Sequence, residues 1–161
     1  MNTVFVGVGE CKASNKPDDV IKTMALGSCV AVIVLDPVNR AVGMIHIALP
    51  DSAINKERMQ QKPCMFADSG IPKLLNMMKT LGYRENGRLI VKLAGGATIM
   101  DPNQTFNIGK RNILAVKKIL WKYRLGALAE DVGKNHSRTV SVNVNNGKVL
   151  ISSPGRGEWE I

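Results

Sequence analysis

One cysteine stands where a buried strand is expected to begin, and its position suits a nucleophile. Cys29 follows Gly27 and Ser28 and opens an apolar run that ends at Leu35. A thiol at such a junction can attack a carbonyl carbon while neighbouring backbone N–H groups face the developing oxyanion. Glycine there would let the backbone turn sharply. A cysteine in an apolar strand is more often a small buried side chain, so a nucleophile also needs a base.

His46 is the candidate base, because it lies inside a second apolar run, residues 41–49. Residues 36–39, Asp-Pro-Val-Asn, have turn chemistry, so the two runs are expected to form an antiparallel hairpin. Antiparallel pairing brings the start of the first strand beside the end of the second, which places Cys29 and His46 at one sheet edge. A thiol and an imidazole in hydrogen-bond reach form a catalytic pair. The alternative is a core histidine bonded to the backbone.

Other kinds of site are weakly indicated. The three cysteines and two histidines show no zinc-type spacing, so neither a metal nor a cofactor is expected. Gly7-Val8-Gly9 lacks the third glycine of a dinucleotide fingerprint. Residues 94–97, Ala-Gly-Gly-Ala, favour a tight turn over a phosphate cradle. His136 lies in a polar stretch and is expected to be solvated.

A basic helix raises the question of nucleic acid. Lys117, Lys118 and Lys122 accompany Trp121, and basic residues with an aromatic can contact DNA or RNA. No RNP-like or finger motif is present, so a solvated face or a protein-docking surface is favoured and no nucleic acid is expected.

The elements that position these residues alternate without the regularity of a doubly wound fold. Helices are predicted over residues 67–81 and 109–124, and an irregular mobile loop over residues 51–63. Strands are predicted over residues 3–9, 29–35, 41–49, 88–93, 127–132, 139–144 and 148–152, the last two joined by an Asn-Gly turn. This pattern predicts an α+β fold, a layered sandwich of mainly antiparallel sheets with the two helices on one face.

The chain has 161 residues, of which 45% are hydrophobic and 22% charged, and this suits a single domain over residues 1–161. The longest apolar run is too short to span a bilayer, and no signal peptide is recognised, so a cytoplasmic location is expected. An odd number of cysteines in that compartment favours free thiols. The net charge of +9 would attract acidic partners.

Several short motifs occur in a specific order along nearly the whole chain. They are Leu26-Gly27-Ser28-Cys29-Val30-Ala31-Val32, His46, Leu49-Pro50-Asp51-Ser52, Phe66-Ala67-Asp68, Lys92-Leu93-Ala94-Gly95-Gly96-Ala97, Asn107-Ile108-Gly109-Lys110-Arg111-Asn112, Ala129-Glu130-Asp131-Val132-Gly133 and Arg138. Each motif alone is short, but the ordered set resembles the CheD family of chemoreceptor glutamine deamidases. The 51–63 loop is longer than the family leads us to expect, and Cys64 stands at its end.

The resemblance implies hydrolysis of glutamine side chains on the cytoplasmic helices of chemoreceptors, with release of ammonia and a role in chemotactic adaptation. It implies Cys29 as nucleophile, His46 as base and Thr23 as third member, with Gly27 and Ser28 supporting the oxyanion. It also implies binding of a CheC-type phosphatase and a sandwich related to toxin deamidases of the cytotoxic necrotizing type. Two alternatives stay open: a regulatory module that mainly binds CheC, and a nucleic-acid binder.

Overall fold

The computed structural model describes residues 1–85, 87–99 and 106–161, in which two five-stranded sheets pack with three α-helices. The helices are α1 Lys56–Gln61, α2 Ala67–Thr80 and α3 Ile108–Lys122. The strands are β1 Asn2–Phe5, β2 Cys11–Ser14, β3 Asp19–Leu26, β4 Val30–Asp36, β5 Ala41–Ile47, β6 Ile90–Gly95, β7 Ala127–Val132, β8 Arg138–Asn143, β9 Val149–Ser153 and β10 Gly157–Glu160. In these ranges, no helix combines the length and the apolar character that a membrane span requires.

The first sheet has the strand order β1-β3-β8-β9-β10, and the second has the order β2-β5-β4-β6-β7. Neighbouring strands are antiparallel except for two parallel pairs, β1 with β3 and β6 with β7. The sheets face each other, and helices α2 and α3 cover the outer face of the second sheet. The predicted α+β layered sandwich is therefore confirmed, with helices on one side.

Strand β4 is buried along its whole length, and its alternation explains why its sequence is continuously apolar. Ala31 and Ile33 point between the sheets and join a cluster with Ile21 of β3. Val30 and Val32, on the opposite side, pack in the cluster under the helices. A strand covered on both faces has no position for a solvated side chain, and β4 is accordingly the middle strand of the second sheet.

The predicted hairpin forms in register, with Val30 opposite Ile47 and Asp36 opposite Ala41. The two predicted helices and the hairpin that joins β8 to β9 are also present. The prediction of an irregular loop over residues 51–63 was wrong, because this segment holds a 3₁₀ turn at Ser52–Ile54 followed by α1. Strands β2, β3 and β10 were not predicted.

The expectation of free thiols was wrong for two of the three cysteines. Cys11 of β2 and Cys64 of the 3₁₀ turn Pro63–Met65 form a disulfide, with their Cα atoms 6.1 Å apart, and Cys29 is the free cysteine. The two partners are 53 residues apart in sequence. They meet because β2 pairs with β5, and the Pro63–Met65 turn folds back on the same strand. Cysteine number alone cannot reveal such a juxtaposition.

Candidate active site

Thr23 and His46 meet between the two sheets. Thr23 lies on β3 of the first sheet and His46 on β5 of the second, and both side chains are buried. The Thr23 hydroxyl oxygen lies 2.7 Å from His46 Nδ1 and 2.7 Å from the backbone oxygen of Val6. The packing of one sheet on the other therefore creates a contact that neither strand could make alone.

This pair of hydrogen bonds decides which imidazole nitrogen carries the proton. A hydroxyl has one hydrogen, and a backbone carbonyl can only accept, so Thr23 donates to Val6. The same hydroxyl must then accept from His46, which requires a proton on Nδ1. In the neutral ring, Nε2 is left with a free lone pair. Nε2 is buried and has no hydrogen-bond partner in the described part of the chain.

Cys29 stands on the side of the second sheet that His46 faces. His46 pairs with Ala31, and Cys29 lies two residues before Ala31 and contacts the same inter-sheet cluster. Diagonal positions of this kind are separated by about 7–8 Å, with side chains closer. The thiol makes no hydrogen bond to Nε2 in this structure. The hairpin thus brings Cys29 and His46 to the same end of two neighbouring strands.

The segment that carries Cys29 is held through three consecutive carbonyl groups. Gly27 accepts from the backbone N–H of Ala97 at 2.9 Å, and Cys29 accepts from that of Gly96 at 2.8 Å. Between them, Ser28 accepts from the Asn112 side chain at 2.9 Å. These three hydrogen bonds restrain the backbone of residues 27–29.

The close packing of β6 and α3 around the Cys29 segment does not require a glycine at position 27. A Cβ at Gly27 would meet one atom of Ile99 at 3.6 Å, so a side chain fits there. At Gly95, φ is +107° and a Cβ would overlap the carbonyl oxygen of Cys29. At Gly109, a Cβ would lie 2.5 Å from the carbonyl oxygens of Gly96 and Ala97. Gly95 therefore lets β6 approach the Cys29 backbone, and Gly109 lets α3 approach Gly96 and Ala97.

Burial keeps the resting pair uncharged. Desolvation lowers the pKa of His46 to about 4, and it raises the pKa of the Cys29 thiol above its ordinary value. At neutral pH, His46 is a neutral base and Cys29 a thiol. The arrangement therefore suits proton transfer during attack and not a preformed thiolate–imidazolium pair.

A cleft of about 230 Å³ opens beside the Cys29 segment. Gly27 and Ser28 form one wall, and Ile99, Ile108 and Gly109 contribute to the others. A wider cleft of about 430 Å³ lies beside Asp36 at the opposite end of β4 and contains none of the predicted site residues.

Sequence reasoning missed Asn112, although the residue falls within one of the recognised motifs. It is fully buried on α3 and donates from one side-chain nitrogen to Ser28 and to Ala48. Gly109, Val116 and Leu120 share its buried face, at helical spacing. An asparagine inside an otherwise apolar stripe is the signal that could have identified it.

His136 and the outer face of α3 are two further features for which the sequence made a prediction. His136 is half-buried and stacks edge-on against Trp159, with ring centroids 6.4 Å apart, so the expected solvated histidine was wrong. The outer face of α3 is basic and exposed: Lys117 pairs with Glu130 at 3.0 Å, and Trp121 is 80% exposed. Among the described residues, no group of three or more His, Cys, Asp or Glu side chains could hold a metal ion.

Comparison with known proteins identifies the family. The family model described as CheD chemotactic sensory transduction matches residues 48–153. The probable chemoreceptor glutamine deamidase CheD of Syntrophotalea carbinolica is 53% identical and covers 100% of both chains. The chemoreceptor glutamine deamidase CheD of Thermotoga maritima is 40% identical over 95% of this chain and 93% of its own.

A Neisseria meningitidis protein assigned to the family model DUF152 is similar in structure, with a TM-score of 0.49 and 8% identity over 83% of this chain and 64% of its own. The family model begins after Thr23, Cys29 and His46, but the relatives align along nearly the full chain and so include these positions. Ordered motifs, a family model that spans more than half of the residues and full-length relatives agree, and this chain belongs to the CheD family.

Proposed function

We propose that this protein deamidates glutamine side chains of chemoreceptors, with Cys29 as nucleophile, His46 as general base and acid, and Thr23 as the residue that orients the imidazole. The observation that carries the proposal is the hydrogen-bond chain from His46 Nδ1 to Thr23 to the Val6 carbonyl. These hydrogen bonds leave the Nε2 lone pair free on the side of the sheet that bears Cys29. The relatives' names supply the substrate class.

The first half of the reaction forms a thioester. His46 Nε2 accepts the proton of the Cys29 thiol, and the sulfur attacks Cδ of the substrate glutamine. The carbonyl oxygen becomes an oxyanion, which backbone N–H groups of the segment Gly27–Ser28–Cys29 would stabilise. When the C–N bond breaks, the imidazolium returns its proton to the departing nitrogen, and ammonia leaves.

The second half regenerates the thiol. His46 removes a proton from water, the resulting hydroxide attacks the thioester, and the C–S bond breaks to give glutamate. The proton on Nε2 then returns to sulfur. Throughout both halves, the Thr23 oxygen accepts a hydrogen bond from His46 Nδ1–H, which keeps that proton on Nδ1 and holds the ring in place. A neutral threonine stabilises imidazolium less than a carboxylate would, so modest turnover is expected.

The wider setting belongs to the same proposal. Residues 1–161 act as one catalytic domain, the protein works in the cytoplasm, and a CheC-type phosphatase is its regulatory partner. The resemblance to the CheD family supports these three statements. The net charge of +9 and the exposed basic face of α3 favour an acidic protein partner.

The test is mass spectrometry of a chemoreceptor cytoplasmic fragment incubated with the protein. The wild type should convert particular glutamines to glutamate, each with the mass increase of an amide-to-acid change, and Cys29→Ala should convert none. Cys64→Ala removes a cysteine side chain outside the Cys29–His46–Thr23 set; it opens the disulfide with Cys11 but should remain active, and it is the matched cysteine control. Conversion by Cys29→Ala at the wild-type rate would disprove the assignment of the nucleophile.

A further inference from the structure

The strands that carry nucleophile and base separate at the level of Cys29. Their last paired residues are Val30 and Ile47. Beyond this pair, the N–H groups of Ala48 and Leu49 turn away and donate to the Met65 carbonyl at 2.9 and 3.0 Å. The sheet ladder therefore does not set the distance between the Cys29 thiol and His46 at this end of the hairpin.

The Asn112 side chain occupies the gap. Its Nδ2 atom donates to the Ser28 carbonyl at 2.9 Å and to the Ala48 carbonyl at 3.0 Å. Ser28 precedes the nucleophile, and Ala48 lies two residues after the base. Both groups are acceptors and cannot bond to each other, so only a donor with two hydrogens can join them. A primary amide provides two hydrogens on one neutral atom.

The oxygen of the Asn112 side-chain amide, in contrast to its nitrogen, does not help to hold the two segments together. Asn112 is fully buried, and its Oδ1 atom has no hydrogen-bond partner among the described residues. Burying an unpaired acceptor is unfavourable, and an apolar side chain at this position would avoid that cost. The two bonds from Nδ2 are the compensating gain.

We propose that Asn112 is a positioning residue that clamps the Cys29 segment to the end of β5 and so sets the separation between the thiol and His46 Nε2. The proposal deepens the proposed function and rests on it for its catalytic consequence. The amide itself touches neither the thiol nor the imidazole in the described bonds, and it acts through the two carbonyl groups. A misplacement of about 1 Å between reacting groups can lower a rate by about 100-fold.

Asn112→Asp tests the donors with almost no change in shape, because it replaces Nδ2 by an oxygen that carries at most one hydrogen and so cannot donate to both carbonyl groups. Asn112→Ser is the second variant, should the aspartate prevent folding. Asn76→Asp, on the exposed face of α2, carries the same charge change and is the matched control.

The primary assay is alkylation of Cys29 by iodoacetamide at neutral pH, followed by mass spectrometry. Cys11 and Cys64 are paired and do not compete for the reagent. We expect Asn112→Asp or Asn112→Ser to slow alkylation by about 10-fold or more, and Asn76→Asp to leave it unchanged. With receptor fragment as substrate, kcat should fall by a similar factor while KM stays within about twofold.

A double-mutant cycle with His46→Gln separates positioning from a general loss of structure. If Asn112 acts through the Cys29–His46 geometry, its substitution should have no further effect once the imidazole is gone. An equal slowing in both backgrounds, or no slowing in either, would overturn the proposal. Because alkylation needs no deamidase activity, failure of the proposed function alone would leave the non-additive cycle intact.

Discussion

Replacing His46 by glutamine should change how the stability of this protein depends on pH. Burial holds the pKa of His46 at about 4, against an ordinary value of 6.5 in the unfolded chain. Between these two values the unfolded state binds a proton that the folded state does not, so lower pH favours unfolding. The stability contribution of neutral His46 is complete above pH 6.5 and disappears as the pH falls toward 4.

The magnitude follows from the difference between these pKa values. At about 1.36 kcal/mol for each pKa unit, it corresponds to about 3 kcal/mol of unfolding free energy. Domains of this size are stable by about 5–15 kcal/mol, so the effect is a large fraction of the total. Glutamine does not titrate, and His46→Gln should lack this dependence.

Urea unfolding of both proteins, followed by circular dichroism at several pH values between 4 and 7, measures the effect. Carboxylates with lowered pKa, such as Asp19 and Asp131, titrate in both proteins and cancel in the difference. The unfolding free energy of the wild type minus that of His46→Gln should fall by about 3 kcal/mol from pH 7 to pH 4. A difference that is constant with pH, or that rises toward pH 4, would refute the buried neutral imidazole.

Four further results are expected. Thiol titration of the unreduced, denatured chain should find one free thiol, that of Cys29, and reduction should expose the other two; three thiols before reduction would contradict the disulfide. Thr23→Val should lower kcat by about 10-fold or more because the Nδ1 proton loses its acceptor, whereas Thr23→Ser should largely restore it; equal rates for both variants would reduce Thr23 to a packing role. Deamidation should persist at pH 5, where an ordinary histidine is mostly protonated, and decline toward pH 4 as His46 gains a proton; a midpoint near 6.5 would argue against the lowered pKa. Lys118→Glu, on the exposed face of α3, should raise KM by about 2–10-fold at low salt with kcat unchanged, and unaltered KM would exclude this face from substrate encounter.

The sequence alone predicted that Cys29 and His46 lie close together, because their relation is local. Apolar runs on either side of Asp-Pro-Val-Asn pair as an antiparallel hairpin, and this pairing places Cys29 and His46 at the same end of the two strands. The same local patterns predicted α2, α3 and the β8–β9 hairpin. Strand β3 was missed because its sequence, Asp-Val-Ile-Lys-Thr-Met-Ala-Leu, mixes buried and exposed positions without a marked apolar run.

Tertiary structure decided the remaining features, each of which joins residues far apart in the chain. The motif resemblance named Thr23, but only the packing of one sheet on the other brings its hydroxyl to His46 Nδ1 and so selects the tautomer. The bonds of Asn112 to Ser28 and Ala48, and the pairing of Cys11 with Cys64, depend in the same way on how helix and strands close together. The lowered pKa of His46 is likewise a property of burial. Residue order determines hairpins and helical faces because they involve near neighbours, whereas desolvation and long-range hydrogen bonds exist only after the layers have packed.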